Sequence, residues 1–203
     1  MVIDFDIISK SGGELMSRSE AISLLKEHVK SEELYRHSMA VEAGMRAYAK
    51  HFGENEEEWA VLGILHDIDF EKYPEEHPAK APELLSAAGF DQDFIDAVLS
   101  HGLNQEAMRV DNKRKALSAV DQMSSFIIAC ALMRPTGLDG LKAKSVKKKM
   151  KAGSFAKAVD RVDLEATREA LGVEFADHVD ILVQGLVEHE ERMQAEGFSL
   201  LGQ

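Results

Sequence analysis

A His-Asp pair, His66-Asp67, lies among several other potential metal ligands in this sequence. The others are His37, His77, His101 and Asp121. Imidazole and carboxylate groups are common ligands of divalent first-row metals where no thiolates are offered. Together these six side chains are enough to hold one or two ions. The sequence therefore predicts a metal site built from residues that lie far apart in the chain.

The adjacency of His66 and Asp67 constrains the local structure. Neighbouring residues on a regular α-helix point about 100° apart, so both can reach one ion only if the helix ends or turns there. The segment that follows, residues 68–76, is typical of a loop, and its Pro74 excludes a regular helical continuation. We therefore expect a helix to end at the pair.

Helix signals place the first ligands on or beside helices. Ser17 and Glu20 form a capping box for a first helix. A second helix is expected over about residues 31–52, with His37 on its buried stripe. Asn55, followed by three glutamates, is typical of the start of a third helix, which leads to the His-Asp pair.

The remaining ligands also fall at helices. Pro78 is expected to begin a helix, which places His77 at its N-terminus. His101 shares an apolar helix face just before Gly102. Asp121 lies in the middle of the apolar face of a long helix, where a carboxylate is costly unless it is paired. The other four histidines are expected to be structural or at the surface.

The order His, His-Asp, His, His, Asp on a helical chain resembles the HD-domain superfamily of metal-dependent phosphohydrolases. The match runs residue by residue from His37 to Asp121. The resemblance implies one divalent ion held by His37, His66, Asp67 and Asp121, and a second, bridged by Asp67, on His77 and His101. It does not select among Fe, Mn, Zn, Ni, Co and Mg.

The chain departs from the frequent form of the doublet, in which His-Asp-Ile-Gly is followed by Lys. Here the sequence reads His-Asp-Ile-Asp-Phe, so the small residue and the basic side chain are missing. Asp69 and Glu71 are expected instead to orient a ligand imidazole through its other nitrogen. The alternative is that both are solvated carboxylates of a loop.

Composition favours a helical protein, because 45% of the 203 residues are apolar, prolines are few, and Ala, Leu, Glu and Lys recur at helical spacing. With the resemblance, this predicts an all-α, single-domain HD-type helical bundle with the metal site in its core between helices. Residues 1–15 are expected to form an N-terminal extension and residues 16–135 the HD metal-binding core. Residues 136–203 are expected to form a C-terminal helical part packed on the same domain.

Six lysines and no acidic residue lie between positions 142 and 151. One interpretation is that Ser145 caps a helix while Lys144 and Lys148 face the metal cleft, so that these three residues hold a substrate phosphate. A similar Lys-Ser-x-x-Lys-Lys stretch is, by resemblance, shared by a subgroup of small HD proteins. The alternative is that the lysines line a solvated helix face.

The rest of the C-terminal part is expected to contain a short helix with Phe155 and Val159, a capped segment that starts at Asp163, and a final long helix over about residues 173–196. The final helix could complete the core or pair with a second copy of the chain as a homodimer.

Charge and cysteine content restrict partners and compartment. A formal net charge of -12 argues against binding to a nucleic-acid duplex or an anionic membrane. The single cysteine, Cys130, excludes an internal disulfide and is expected to be a buried thiol, which suggests a reducing cytoplasm. No stretch approaches the roughly 20 apolar residues of a membrane span, and no export signal is evident.

These features lead to one functional hypothesis and two alternatives. A divalent ion with an open position lowers the pKa of bound water, and two ions can clamp the attacking and leaving oxygens of a phosphoester. We therefore expect a cytoplasmic phosphohydrolase that acts on a small anionic phosphoester, such as a nucleotide, with Asp67 positioning the hydroxide. A di-iron oxygenase of the HD type and a non-catalytic, metal-stabilised binding or regulatory module stay open as alternatives.

Overall fold

The computed structural model describes residues 16–202, so the prediction for residues 1–15 lies outside the described residues. The all-α prediction is confirmed, because residues 16–202 contain nine α-helices, one 3₁₀ helix (Glu106–Met108) and no β-strand. The α-helices are α1 (Arg18–His28), α2 (Glu32–Phe52), α3 (Glu56–Leu65), α4 (Ala81–Ala87), α5 (Gln92–Leu99), α6 (Asn112–Leu132), α7 (Ala143–Met150), α8 (Arg161–Leu171) and α9 (Phe175–Ala195).

The helix starts follow the local capping signals. The capping box of α1 is present, with Ser17 and Glu20 each accepting a hydrogen bond from the other's backbone N–H. The side chain of Asn55 accepts hydrogen bonds from two backbone N–H groups in the first turn of α3. Ser31 and Asp91 cap α2 and α5 in the same way. These caps satisfy N–H groups that have no partner within the helix.

The helix α2 lies at the centre of the protein and packs against α3, α6 and α9. Two glycines allow this close packing. A Cβ at Gly63 in α3 would lie only 3.0 Å from the backbone N and Cα of Glu42 in α2. A Cβ at Gly44 in α2 would collide with the side chains of Val120 and Leu182, on α6 and α9. The helices that carry the potential ligands therefore approach one another more closely than larger residues would permit.

The helix α6 is buried along most of its length. It is long and apolar enough to cross a membrane by length and composition, but 61% of its most apolar window is buried inside the protein. It carries Cys130, which is buried as expected, and burial raises the pKa of this thiol to about 11. These observations identify α6 as a core helix.

A buried ionic cluster ties α1, α2, α3 and α9 together. The carboxylate of Glu42 in α2 accepts hydrogen bonds from Arg18 Nε (2.6 Å) and Arg46 Nε (2.9 Å). It also lies 3.3 Å from His189 Nε2 in α9. Arg46 reaches on to Glu57 in α3, where Nη2 lies 2.6 Å from Oε2. Burial raises the pKa of Glu42, but His189 and Arg18 outweigh it and lower the pKa to about 2.

Two predicted helix starts are wrong. The helix predicted from Pro78 begins at Ala81 instead, because Asp69 holds the preceding residues in turns. Its carboxylate contacts His77 Nδ1 and accepts a hydrogen bond from the backbone N–H of Lys80. The lysine-rich helix α7 begins after Lys142, which makes no capping bond through its side chain.

The segment between α7 and α8 also differs from the prediction. The expected short helix with Phe155 and Val159 is absent from the described structure, and this part of the chain forms turns. The guanidinium of Arg161 donates hydrogen bonds to the carbonyl oxygens of Phe155, Ala156 and Val159, and these bonds stabilise the turns. The next helix, α8, is capped by Asp160 and not by Asp163.

Candidate metal centre

The fold brings together all six side chains that the sequence singled out. His37 lies in α2 and Asp121 in α6. The other four lie at or beyond helix ends: His66 is the C-cap of α3, Asp67 follows it, His77 lies in the turns before α4, and His101 follows α5. Their ligand atoms form two adjacent groups, which are His37, His66 and Asp121, and Asp67, His77 and His101.

In the first group, the Nε2 atom of His37 is the common neighbour. It lies 3.1 Å from Nε2 of His66 and 3.1 Å from Oδ1 of Asp121. The third distance, from His66 Nε2 to Asp121 Oδ1, is 3.7 Å.

In the second group, the Nε2 atoms of His77 and His101 lie 3.1 Å apart. Each faces the same oxygen of Asp67: Oδ1 is 3.4 Å from His77 Nε2 and 3.3 Å from His101 Nε2. The other oxygen of Asp67, Oδ2, lies 3.3 Å from the Nε2 atoms of both His37 and His66. Asp67 therefore presents one oxygen to each group.

The end of α3 allows His66 and Asp67 to face the same cavity. The helix stops at Leu65, and the following residues form turns in which the Ile68 N–H donates to the Leu65 carbonyl at 3.2 Å. His66 itself keeps right-handed helical dihedrals as the C-cap, and its Nε2 lies 3.3 Å from Oδ2 of Asp67, so the two side chains meet at this helix end. The expected helix end at the pair is present.

The outward-facing nitrogen of each imidazole is held by a neighbour. Nδ1 of His66 donates to the Gly63 carbonyl at 2.8 Å, and Nδ1 of His101 donates to the Val98 carbonyl at 2.5 Å. Nδ1 of His77 lies 2.8 Å from Oδ1 of Asp69, and Nδ1 of His37 lies 2.9 Å from the Ser125 hydroxyl. Such contacts fix the ring orientation and the tautomer of metal-binding histidines.

These contacts test whether a metal ion fits the site. A carbonyl oxygen can only accept a hydrogen bond, so the Nδ1 atoms of His66 and His101 carry the proton. In the neutral ring, Nε2 then carries a lone pair that can bind a metal ion. Lone pairs of neighbouring imidazoles that converge with carboxylate oxygens repel one another unless a cation lies between them. Ligands held about 2.1 Å from one ion are about 3.0–3.4 Å apart at tetrahedral or right angles. Most of the distances within each group match that spacing.

The charges at the site also favour a cation. Burial lowers the pKa of His37, but hydrogen bonds and charge from Asp121 and Asp67 outweigh it and raise the pKa to about 9. The same two aspartates raise the pKa of the fully buried His66. Burial raises the pKa of Asp67 and Asp121, yet the surrounding imidazoles lower both well below the usual range. In the absence of metal, the carboxylates therefore draw protons onto the imidazoles that a metal ion would displace.

The six side chains differ in their exposure to solvent. The side chain of His66 is fully buried, and that of His101 is 3% exposed. Those of Asp67 and Asp121 are 14% and 19% exposed, and those of His37 and His77 are similar. The side chains of Asp67 and Asp121 are thus partly accessible to solvent, whereas His66 and His101 are covered by the protein.

The two carboxylates predicted to support the ligands differ. Asp69 is fully buried and contacts Nδ1 of His77, which is the arrangement expected from the sequence. The prediction for Glu71 is wrong, because its carboxylate accepts hydrogen bonds from the backbone N–H groups of Lys30 and Ser31 at 2.8 and 2.9 Å. Glu71 thus holds the start of α2 and does not touch a ligand imidazole.

The lysine-rich segment does not reach the ligands. Lys144, Ser145 and Lys148 are exposed on α7, and within residues 16–202 none of their side chains contacts a ligand side chain. Ser145 lies inside the first turn of α7, so the prediction that it caps the helix is wrong. The assignment of these residues to a substrate phosphate stays a prediction.

Sequence reasoning missed some of the supporting groups. Ser125 lies four residues after Asp121 in α6, and this spacing places both on one face, so the contact of Ser125 with His37 could have been anticipated. The carbonyls of Gly63 and Val98 each lie three residues before the histidine they hold. Backbone carbonyls are present at every residue, so the sequence does not indicate which of them accept a hydrogen bond from a histidine. The carbonyls of Gly63 and Val98 could therefore be identified only from the structure.

Comparison with protein families agrees with this geometry. The family model of the HD domain matches residues 34–182 of the 203-residue chain, a range that includes all six side chains. Comparisons with curated proteins and with solved structures gave no match. HD domains form a superfamily of metal-dependent hydrolases. The match covers well over half of the chain, and the protein therefore belongs to the HD-domain family.

Proposed function

We propose that this protein is a metal-dependent phosphohydrolase that acts on a small anionic phosphoester, with a nucleotide as one candidate. The observation that supports it best is the position of Asp67, whose two oxygens face two separate sets of imidazole nitrogens at 3.3–3.4 Å. A single-ion site would need only one of these sets. The arrangement therefore favours two divalent ions.

In this proposal, His37, His66, Asp121 and Asp67 would hold the first ion. His77, His101 and Asp67 would hold the second. All of these groups are nitrogen or oxygen ligands, which suit Mn, Fe, Zn, Co and Ni, and the sites lack the all-oxygen character that Mg prefers. Bound divalent ions supply Lewis acidity, which stabilises negative charge on phosphoryl oxygens and makes water a stronger nucleophile at neutral pH.

The residues of the chain provide positioning and charge. Asp67 is the only ligand that faces both groups, so it would set the separation of the two ions and the orientation of the water that attacks the ester. The buried far side of the site, formed by His66 and His101, excludes bulk solvent and strengthens electrostatic interactions within it. Phosphoester cleavage suits such a site, because its transition state spreads negative charge over several oxygens.

The test is metal-dependent turnover. Protein stripped with a chelator is reloaded with Mn, Fe, Co, Ni, Zn or Mg and assayed against a panel of phosphomonoesters and nucleotides. We expect hydrolysis that requires the metal and that is lost in Asp67→Asn. His51→Ala, which changes an exposed histidine outside the site, serves as the control and should keep both metal and activity.

Two results would contradict the proposal. Oxygen uptake by iron-loaded protein, without hydrolysis in any metal form, would identify an oxygenase. Metal that raises the melting temperature without any turnover of the panel would indicate a binding or regulatory module. The melting temperature of each variant is measured in parallel, so that loss of folding is not mistaken for loss of chemistry.

A further inference from the structure

The arginine that ends the 3₁₀ helix, Arg109, is bonded to the backbone around one of the potential metal ligands, His101. Nε of Arg109 donates to the carbonyl of Ser100 at 3.0 Å, and its Nη2 donates to the carbonyl of Gly102 at 3.2 Å. Ser100 and Gly102 are the two chain neighbours of His101. The guanidinium is thus anchored on both sides of one of the potential ligands.

The charge of Arg109 is not neutralised by this anchoring. Arg18, Arg46 and Arg114 each pair with a carboxylate, whereas Arg109 has no carboxylate within 4.0 Å among residues 16–202. Its hydrogen-bond partners are two neutral carbonyls, and within the described chain its Nη1 has none. A guanidinium stays protonated at any physiological pH, so Arg109 keeps a full charge and spare donors.

Arg109 and Asp121 both act electrostatically on a third residue, Asp163. Asp163 at the start of α8 accepts a hydrogen bond from Gln122 at 2.9 Å, and Gln122 adjoins Asp121 in α6. Burial raises the pKa of Asp163, the charge of Arg109 opposes this, and the charge of Asp121 adds to it. Asp163 is thus within electrostatic reach of both Arg109 and Asp121.

We propose that Arg109 binds the anionic oxygens of the substrate beside the group formed by Asp67, His77 and His101. The inference rests on the proposed function and assigns to Arg109 the role that the sequence had suggested for Lys144 and Lys148. Arginine suits it because the planar guanidinium can donate two parallel hydrogen bonds to phosphate oxygens. The two backbone anchors hold the group in place before the substrate arrives, which lowers the entropy cost of binding.

The test measures binding of inorganic phosphate to manganese-loaded protein by calorimetry, which needs no turnover. Arg109→Met keeps much of the aliphatic stem and removes the charge, and we expect phosphate binding to weaken about 10- to 100-fold. Arg109→Lys should recover part of the affinity. Lys157→Met, which removes an exposed lysine from the turns between α7 and α8, should bind phosphate within about twofold of the unmodified protein. If a phosphoester is hydrolysed, Arg109→Met should raise KM by more than it lowers kcat.

Metal content decides between binding and a merely structural role. Unchanged manganese stoichiometry in Arg109→Met, with weakened phosphate binding, supports the inference. Loss of manganese in that variant would show that Arg109 only holds the turn around His101, and would overturn it. Phosphate affinity within twofold of the unmodified protein would overturn it as well. If phosphate binding depends on Arg109 but no phosphoester is hydrolysed, the proposed function fails and the anion subsite stands.

Discussion

The helix α2 carries two buried groups of charged and titratable side chains that are built in opposite ways. His37 faces the candidate metal centre, and Glu42, about 140° further around the helix axis, faces the arginine cluster. The carboxylate of Glu42 lies against the imidazole of His189 and against Arg18 and Arg46, whose charges are permanent. Among residues 16–202, the carboxylates of Asp67 and Asp121 form ion pairs only with imidazoles.

The difference separates a structural from a functional use of buried charge. The Glu42 cluster contains arginines whose positive charges balance its carboxylate, so it needs no further ion once the chain has folded. Within residues 16–202, no lysine or arginine pairs with the carboxylates of Asp67 and Asp121, so the His/Asp centre is completed by protons or by metal ions. Both groups show strongly lowered carboxylate pKa values, so the pKa values alone do not distinguish them. They are distinguished by whether the partners of the carboxylate include permanently charged arginines.

The largest expected effect comes from breaking the centre at Asp67. Asp67→Asn removes the negative charge of one of the two carboxylates at the centre, and with it the ligand that both groups share. We expect turnover to fall at least about 10⁴-fold. Metal should raise the melting temperature of the unmodified protein but no longer that of the variant. The assay pairs kinetics with thermal unfolding, with and without manganese. Turnover within tenfold of the unmodified protein would show that Asp67 is not needed for the chemistry.

Breaking the Glu42 cluster should affect stability and leave metal binding intact. Glu42→Gln leaves Arg18 and Arg46 buried with less negative charge to balance them, and we expect a loss of about 3–4 kcal/mol in the free energy of unfolding. Glu196→Gln is the matched control, since Glu196 pairs with Arg18 from the surface and should cost less than about 1 kcal/mol. Urea unfolding of metal-free protein measures both. Equal losses of unfolding free energy in Glu42→Gln and Glu196→Gln would show that the buried cluster contributes no more to stability than the surface ion pair.

The two groups also differ in how far the sequence predicted them. The six side chains of the centre could be predicted, because residue types, helix faces and the order along the chain all indicated one site. The Glu42 cluster was not predicted. Glu42 lies 24 positions from Arg18, and nothing in the spacing of ordinary charged residues indicates which of them meet inside a fold.

Local signals succeeded at the cap of α3 and failed at Glu71 and at residues 155–159. Asn55 caps α3 through N–H groups two and three residues away, and this was predictable. Glu71 bonds N–H groups about forty residues earlier in the chain, and this tertiary contact accounts for the error at Glu71. The error at residues 155–159 has a different cause, because Arg161 is near in sequence and its guanidinium donates to the carbonyls of turns that composition alone suggested were helical.

A pH titration sharpens the comparison on the structural side. The pKa of Glu42 is about 2 in the folded protein and about 4.5 in the unfolded chain. Ionised Glu42 therefore stabilises the fold fully above about pH 4.5, and the contribution is lost as the pH falls towards 2. We expect the stability gap between the unmodified protein and Glu42→Gln to shrink by about 3 kcal/mol over that range. Unfolding free energies are measured for both proteins with chelator at pH 6, 4 and 3, and about 2 kcal/mol of the change should appear by pH 3, which is still above the folded-state pKa. Taking the difference between the two proteins cancels the contributions of groups that do not contact Glu42. A gap that does not change with pH would contradict it.

The smallest effect tests the functional side through a residue that touches no metal. Asp69→Asn weakens the acceptor for Nδ1 of His77, and such changes behind a ligand usually lower metal affinity about 10- to 100-fold. Glu71→Gln is a demanding control, because Glu71 lies two residues away but bonds the start of α2 instead of an imidazole. Its metal affinity should stay within about twofold of the unmodified protein. Both are measured by competition with a chelator of known affinity.

The expected pattern for Asp69→Asn follows from the separation of the two ligand sets. His77 belongs to the set on Oδ1 of Asp67, whereas His37 and His66 face Oδ2 and keep their own supports at Ser125 and Gly63. The affinity for the ion at the His77 set should therefore fall, while the affinity for the other ion should stay unchanged. Equal weakening of both ions would mean that the two sets act as one cooperative site, and no weakening would show that Asp69 serves only the turn at Lys80.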